Sequence, residues 1–205
     1  MSIAYNAGNR RQERVLAVAL EVFARYGFRK ASMDEIARSA DISRQGLYSH
    51  FANKEALFRA AVRQGLDGAL GDVSRRLSEE GVGIEPRVVA ALDAWLGRYV
   101  GSMLASDIGN MLHNPAMQLG DIVDPASAAV DDLLAAAIAA AIPENDRRRL
   151  DVTPAEIAGA LYTVAQGAKY LANARGESRE EFVARVTGAV HVVFTCFGAA
   201  AKRTP

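Results

Sequence analysis

The 205-residue sequence is poor in the residues that build covalent, metal-bound or membrane architectures. Cys196 is the only cysteine, which excludes an intramolecular disulfide and a thiolate metal cluster. It lies in an apolar run, so a buried, inert thiol is expected. Histidine occurs only at 50, 113 and 191, and none has a Glu three residues before it, so the Glu-x-x-His pairs of di-iron bundles are missing. There is no Gly-rich phosphate loop, no Gly-x-Ser-x-Gly elbow and no zinc-protease helix. No run alternates Val, Ile and Thr as a half-buried strand would. The longest apolar stretches, Leu133–Ile142 and Gly188–Ala201, fall short of the roughly 20 residues a bilayer-spanning helix needs. The start, Met1 to Arg14, is polar and unlike a signal peptide. These absences predict a soluble cytoplasmic chain with no metal, no cofactor and no membrane partner, and they leave an enzyme without a site.

Half of the residues are hydrophobic, with alanine heavily used, which suits closely packed helices. The expected fold class is all-α. A net charge of zero conceals an asymmetry: residues 1–65 hold 11 Lys and Arg against 6 Asp and Glu, and residues 66–205 hold 13 against 18. A basic end on an acidic body fits a phosphate-binding module joined to a domain of another purpose.

Residues 32–54 carry the densest local signals. Ser32 with Glu35 reads as a capping box, and Met33, Ile36, Ala37 and Ala40 recur on one helical face. Asp41 and Ile42 break that pattern, and Ser43 can cap a second helix from Arg44 to Phe51. Asn53 caps a third. Two short helices across a three-residue turn predict a helix-turn-helix. In the second helix Ile42, Leu47 and Phe51 can point inward, leaving Arg44, Gln45, Tyr48, Ser49 and His50 outside. Arg and Gln read guanine and adenine edges bidentately, while Tyr, Ser and His suit phosphate oxygens. Gly46 costs about 1 kcal/mol of helix propensity, and close backbone approach to DNA is one reason to keep it. A polar, solvated face is the alternative.

This stretch resembles the DNA-binding segment of the TetR family of transcriptional regulators. The resemblance rests on Ala24-Arg-Tyr-Gly27-Phe28, on Met33-Asp-Glu-Ile-Ala37, and on Ile42-Ser-Arg-Gln-Gly-Leu-Tyr48-Ser-His-Phe51 with Asn53-Lys54-Glu55-Ala56-Leu57. It covers residues 11 to about 65 closely and the rest only in layout. Asp41 stands where the family usually has Gly, and Asp enters the left-handed region at little cost. The resemblance implies a repressor that binds a palindromic operator as a homodimer and is released by a small-molecule effector. The DNA-contacting set would be Ser32, Met33, Arg44, Gln45, Gly46, Tyr48, Ser49, His50 and Lys54, with Ser32 and Lys54 near helix N-termini where the dipole favours phosphate.

The remainder reads as a helical body. Residues 1–8 are expected as a flexible arm, 9–65 as the helix-turn-helix domain, and 66–205 as an effector-binding and dimerisation domain. The helix from Asn53 holds its period through Leu77 without a break, joining the two domains. Beyond Gly81–Pro86 a helix is predicted with Val88, Leu92, Trp95, Leu96, Tyr99, Val100, Met103 and Leu104 on one face. Ser106 to Pro125 reads as irregular, 126–142 as a helix, and Glu144 to Asp151, with three arginines, as a solvated loop. Thr153-Pro-Ala-Glu156 and Ser178-Arg-Glu-Glu181 are capping boxes opening two long final helices.

Trp95, Tyr99, Met103, Met111, His113, Met117, Tyr162, Gln166 and Tyr170 are candidate lining residues for a largely apolar or aromatic effector, since ligand sites between helices are mostly apolar with a few polar groups. Plain core is the alternative for each. Phe182, Val186, Val190, Phe194 and Phe197 are candidates for the dimer interface that the resemblance places on the last two helices. A helical carrier or scaffold without DNA binding would account for the body and leave residues 32–54 unexplained.

Overall fold

The computed structural model describes residues 2–102 and 119–201, and the described secondary structure is helical. It comprises α1 (Ser2–Lys30), α2 (Met33–Ser39), α3 (Arg44–His50), α4 (Lys54–Leu77) and α5 (Ile84–Leu96). A 3₁₀ turn (Gly97–Tyr99) follows, then α6 (Gly120–Ala141), α7 (Glu144–Leu150), α8 (Pro154–Arg175) and α9 (Arg179–Ala201). The chain divides into two compact units, one from Met1–Gly68 with Ser102–Asp124, the other from Ala69–Gly101 with Pro125–Pro205. Residues 2–8, expected as an arm, are helical here.

In the first unit α1 contributes Val15, Leu16, Ala19, Val22 and Phe23 to the core, and α2 contributes Met33, Ile36 and Ala37. Phe23, Phe28 and Phe58 form a ring cluster, with Phe23 edge-on to Phe58 at 4.8 Å between centroids. Such pairs add about 0.5–1.5 kcal/mol beyond their buried area. Gly27 interrupts α1 at φ 76°, ψ 160°, a conformation that glycine alone adopts readily. Arg59 on α4 pairs with Asp121 at 2.7 Å, which ties the start of α6 to this unit.

In the second unit α9 packs on α8 and α5, and α5 packs on α8. The core is Val88, Leu92 and Trp95 of α5, Val130, Leu134 and Ile138 of α6, Ile157, Leu161 and Ala165 of α8, and Phe182, Val186 and Val190 of α9. Both expected boxes form in full. Thr153 Oγ1 accepts from the Glu156 amide while Glu156 accepts from the Thr153 amide, and Ser178 with Glu181 repeats the exchange.

Three further stretches differ from expectation. The fifth helix stops at Leu96, so Tyr99 sits on the 3₁₀ turn rather than on one face with Trp95, and Met103 lies outside the described residues. The residue at the break has little room: a Cβ on Gly97 would stand 1.9 Å from Asp93 Oδ1 and 3.2 Å from Phe182 Cε1. Gly101, at φ 74°, then turns the chain. The helix expected from residue 126 begins at Gly120 and takes Pro125 into its second turn, where the ring costs one backbone hydrogen bond. Residues 144–150 form a short helix rather than a loop. Arg147 donates to the carbonyls of Ala139 (2.8 Å) and Ile142, capping the C-terminus of α6.

Candidate nucleic-acid interface

The geometry of residues 32–54 follows from its caps. Ser32 Oγ accepts the Glu35 amide at 3.2 Å and starts α2. Ala40 closes α2, and Asp41 takes the left-handed conformation at φ 54°. The Ile42 amide donates back to the Ala37 carbonyl at 3.0 Å, and Ser43 Oγ accepts the Gly46 amide at 3.0 Å, starting α3. Of the seven residues of α3 only Leu47 is buried; Phe51, just beyond, is buried as well. Arg44, Gln45, Tyr48, Ser49 and His50 are all exposed. Seven residues thus hold one anchor and present five polar side chains.

Several of those groups are engaged before any ligand arrives. Arg44 Nη1 donates to Asp34 Oδ2 of α2 at 2.9 Å, and its guanidinium lies 5.6 Å from the centre of the Tyr48 ring. Ser49 Oγ donates to the Gly46 carbonyl at 2.7 Å, so its proton is spent and its lone pairs remain. Gly46 has an intramolecular reason to lack a side chain: a Cβ there would stand 3.1 Å from Ser43 Oγ, pressing on the cap that starts the helix. A groove of about 370 Å³ between α1 and α3 is lined by Arg11, Gln12, Val15, Ile42, Ser43, Gly46, Ser49, His50 and Phe51. Arg11 and Gln12 thereby join the α3 face; the basic start of α1, with Arg10, Arg11 and Arg14, already offered phosphate contacts or a solvated surface as alternatives, whereas the adjacency of Gln12 to α3 is tertiary.

Two of the expected contact residues face elsewhere. Met33 is buried with Ile36 and Ala37, pointing into the core at the i, i+3, i+4 positions of α2. Lys54 donates its ammonium protons to the carbonyls of Phe28 (2.9 Å), Ala31 (3.1 Å) and, more loosely, Arg29 (3.5 Å). It also lies 4.5 Å from the centre of the Phe28 ring. These carbonyls are left over where Gly27 breaks α1, and a cation at a helix C-terminus is the group that satisfies them. Ser32 Oγ remains at the start of α2, exposed as a cap.

In the second unit Trp95 Nε1 donates to the Tyr162 hydroxyl at 3.0 Å, and Gln166 Nε2 to the same oxygen at 3.3 Å. These three candidate lining residues are brought together. Burial pushes the Tyr99 hydroxyl up from its ordinary pKa. Tyr170 is 73% exposed and so faces solvent rather than an interior site. Met103, Met111, His113 and Met117 lie outside the described residues. Lys169, which composition did not single out, stands on the α8 ridge of Tyr162 and Gln166, and burial holds its ammonium below the usual lysine range. Its register with Tyr162, at i+7, was the available signal.

The bulky interface candidates turn inward. Phe182, Val186, Val190 and Phe194 are buried within the second unit, from 0 to 8% exposed, and the Phe197 side chain lies outside the described residues. The open side of the last two helices is made instead of Val164, Tyr170 and Val192, with Gly167 and Gly188, where an added Cβ would meet nothing within 4 Å. On α9 the large apolar residues fill the subunit's own core, whereas on α8 that core is largely alanine (Ala158, Ala165, Ala168, Ala172) and Val164 and Tyr170 stand outside. Cys196, expected to be buried, is exposed on this side, one turn beyond Val192.

Residues 15–61 match the family model described as bacterial regulatory proteins, tetR family. Over 57 residues the chain is 46% identical to the HTH-type transcriptional regulator UidR of Escherichia coli K12, covering 28% of this chain and 29% of that one. Over 67 residues it is 37% identical to the HTH-type transcriptional activator FasR of Mycolicibacterium smegmatis, covering 33% and 31%. The chain spans about three tenths of the length of these curated relatives. A crystal structure of a TetR-family regulator from Mesorhizobium loti superposes with a TM-score of 0.70 at 19% identity, over 90% of this chain and 95% of that one. The fold is therefore shared well beyond the matched N-terminal segment.

Proposed function

From the match of residues 15–61 to the tetR family of bacterial regulatory proteins, we propose that the chain is a sequence-specific DNA-binding transcriptional regulator acting as a homodimer. The observation that carries the reading is the outward face of α3, where Arg44, Gln45, Tyr48, Ser49 and His50 surround the single buried anchor Leu47. Each subunit places α3 in a major groove, and the dimer reads a palindromic operator. Arg44 and Gln45 contact bases, with Gly46 between them. Tyr48, Ser49, His50, Ser32 and Arg11 hold phosphates. Lys54 acts from beneath, by fixing the end of α1. The DNA-binding domain extends from about residue 9 to 65.

The remaining residues form the effector and dimerisation domain. The open, small-residue side of α8 and α9 supports pairing with a second copy, because helices approach closely where glycine replaces a side chain. An effector, largely apolar or aromatic, binds beside Trp95, Tyr162 and Gln166, where a hydrogen-bonded group borders the core. Helix α4, unbroken from Lys54 to Leu77, carries the coupling. A ligand that prefers one body conformation weakens operator binding by that same preference. Operator occupancy represses, and the effector relieves it.

Selection of bound sequences from a random duplex library by the purified chain, with its mass in solution measured alongside, tests the reading. Enrichment of an inverted repeat by a dimer is expected. A folded chain that enriches no sequence, before and after unfolding and refolding to strip bound ligand, would favour a helical carrier instead.

A further inference from the structure

Asp34 is an acidic side chain on a surface that the proposed function turns toward DNA, where a carboxylate repels phosphate. It is 53% exposed, so no burial explains it, and an exposed ion pair adds little to folding. Its geometry offers a different reason. The carboxylate reaches across the turn from α2 and accepts from Arg44 Nη1 at 2.9 Å. From one turn along α3 the Tyr48 ring stands 5.6 Å from the same guanidinium. A long, flexible side chain is thus held at two points. Among the described residues the rest of its fork makes no hydrogen bond. Arg reads guanine only when its planar fork meets O6 and N7 together, and an arginine free to rotate loses entropy when it docks.

We infer that Asp34 is a specificity-determining positioning residue, which orients Arg44 so that its open edge reads one guanine, and which lowers affinity for DNA lacking that base. The inference rests on the DNA-binding reading above and assigns it a residue from outside the recognition helix. The carboxylate acts twice. On the operator it keeps the guanidinium in the reading pose. Elsewhere, where Arg44 would otherwise swing to a phosphate, it competes for the same protons and adds its own repulsion. Asp34 Oδ1, the oxygen not bonded to Arg44, can accept from the exocyclic amine of a cytosine or adenine in a neighbouring pair, extending the readout by one position.

The experiment measures binding of the full chain to the selected operator, to operators with each single base replaced, and to unrelated duplex, for wild type, Asp34→Asn, Arg44→Ala and the double variant. Asp34→Asn keeps the shape of the side chain and removes its charge. The expected result is tighter binding to unrelated duplex, a loss of about tenfold in discrimination at the base read by Arg44, and a double variant no less selective than Arg44→Ala alone. Melting temperatures identify any variant that fails to fold, and Asp34→Glu, which restores the charge, should recover part of the discrimination. If Asp34→Asn leaves every base preference unchanged while Arg44→Ala flattens one, the inference is overturned and the DNA-binding reading stands. If Arg44→Ala flattens none although wild type binds an inverted repeat, the inference falls with its assumed reader. Failure of wild type to select any sequence would remove the reading beneath both.

Discussion

Helices α3 and α9 both present an outward face, and they do so by opposite means. α3 buries one leucine and sends its large polar side chains out, so its exposed face is rich in chemistry. α9 draws Phe182, Val186, Val190 and Phe194 into the core and leaves Gly188, Val192 and Cys196 outside beside Thr187, His191 and Thr195, so its exposed face carries mostly short side chains. The first kind of face recognises a ligand through hydrogen bonds of fixed geometry. The second suits a copy of itself, because removing side chains is how two helices come close. A functional surface can therefore be marked by what it displays or by what it omits.

The contrast can be broken most severely at the core side of α9. Phe182→Ala should cost about 3–5 kcal/mol of folding stability, read by urea unfolding, since the ring is fully buried. A loss below 1 kcal/mol would mean that the ring is not the anchor described. Val192→Glu, on the other side of the same helix and 64% exposed, should leave the subunit folded and shift the dimer to monomer in sedimentation; an unchanged mass would locate the interface elsewhere. At the other helix, Lys54→Met should lower stability by about 1–3 kcal/mol, since it strips charge-assisted bonds from three carbonyls. The salt dependence of DNA binding should stay as it was; a flattened slope, by about one phosphate contact, would return Lys54 to the DNA face.

The smallest effect is the pH response of the caps opening α8 and α9. Glu156 is held below the ordinary carboxylate range by bonds to the Thr153 hydroxyl and amide, and Glu181 by bonds to the Ser178 amide and hydroxyl. A carboxyl whose pKa is lower folded than unfolded contributes fully above its unfolded value and loses that contribution as pH falls through the folded one. The melting temperature should thus decline on acidification below the ordinary Glu range, and less steeply in Glu156→Gln and Glu181→Gln. Parallel curves for wild type and variants would show the boxes to be energetically silent.

Local signals were legible in the sequence where a residue's role is decided by its near neighbours. Ser32, Ser43, Asn53, Thr153 and Ser178 all cap helices, and Asp41 adopts the left-handed turn expected of it. The direction of a face was not legible. Periodicity puts Phe182 and Val186 on one side of α9 without saying whether that side meets the subunit or its copy. Nor does it show that Phe182, far along the chain, packs beside Gly97, where α5 gives way to a 3₁₀ turn. Lys54 and Arg147 were each read as a surface charge, but carbonyls at the end of another helix take their protons, that of α1 for Lys54 and that of the preceding α6 for Arg147. The α3 side chains Arg44, Gln45, Tyr48, Ser49 and His50 are exposed as expected, because one anchor, Leu47, fixes which way the helix faces.

The position of Cys196 has a practical consequence. It is the sole thiol of the chain and open to solvent on the sparse side of α9. A maleimide dye should attach there once per subunit with no engineering. If the proposed pairing covers this side, attachment should slow as chain concentration rises, and its rate would report assembly without altering α3.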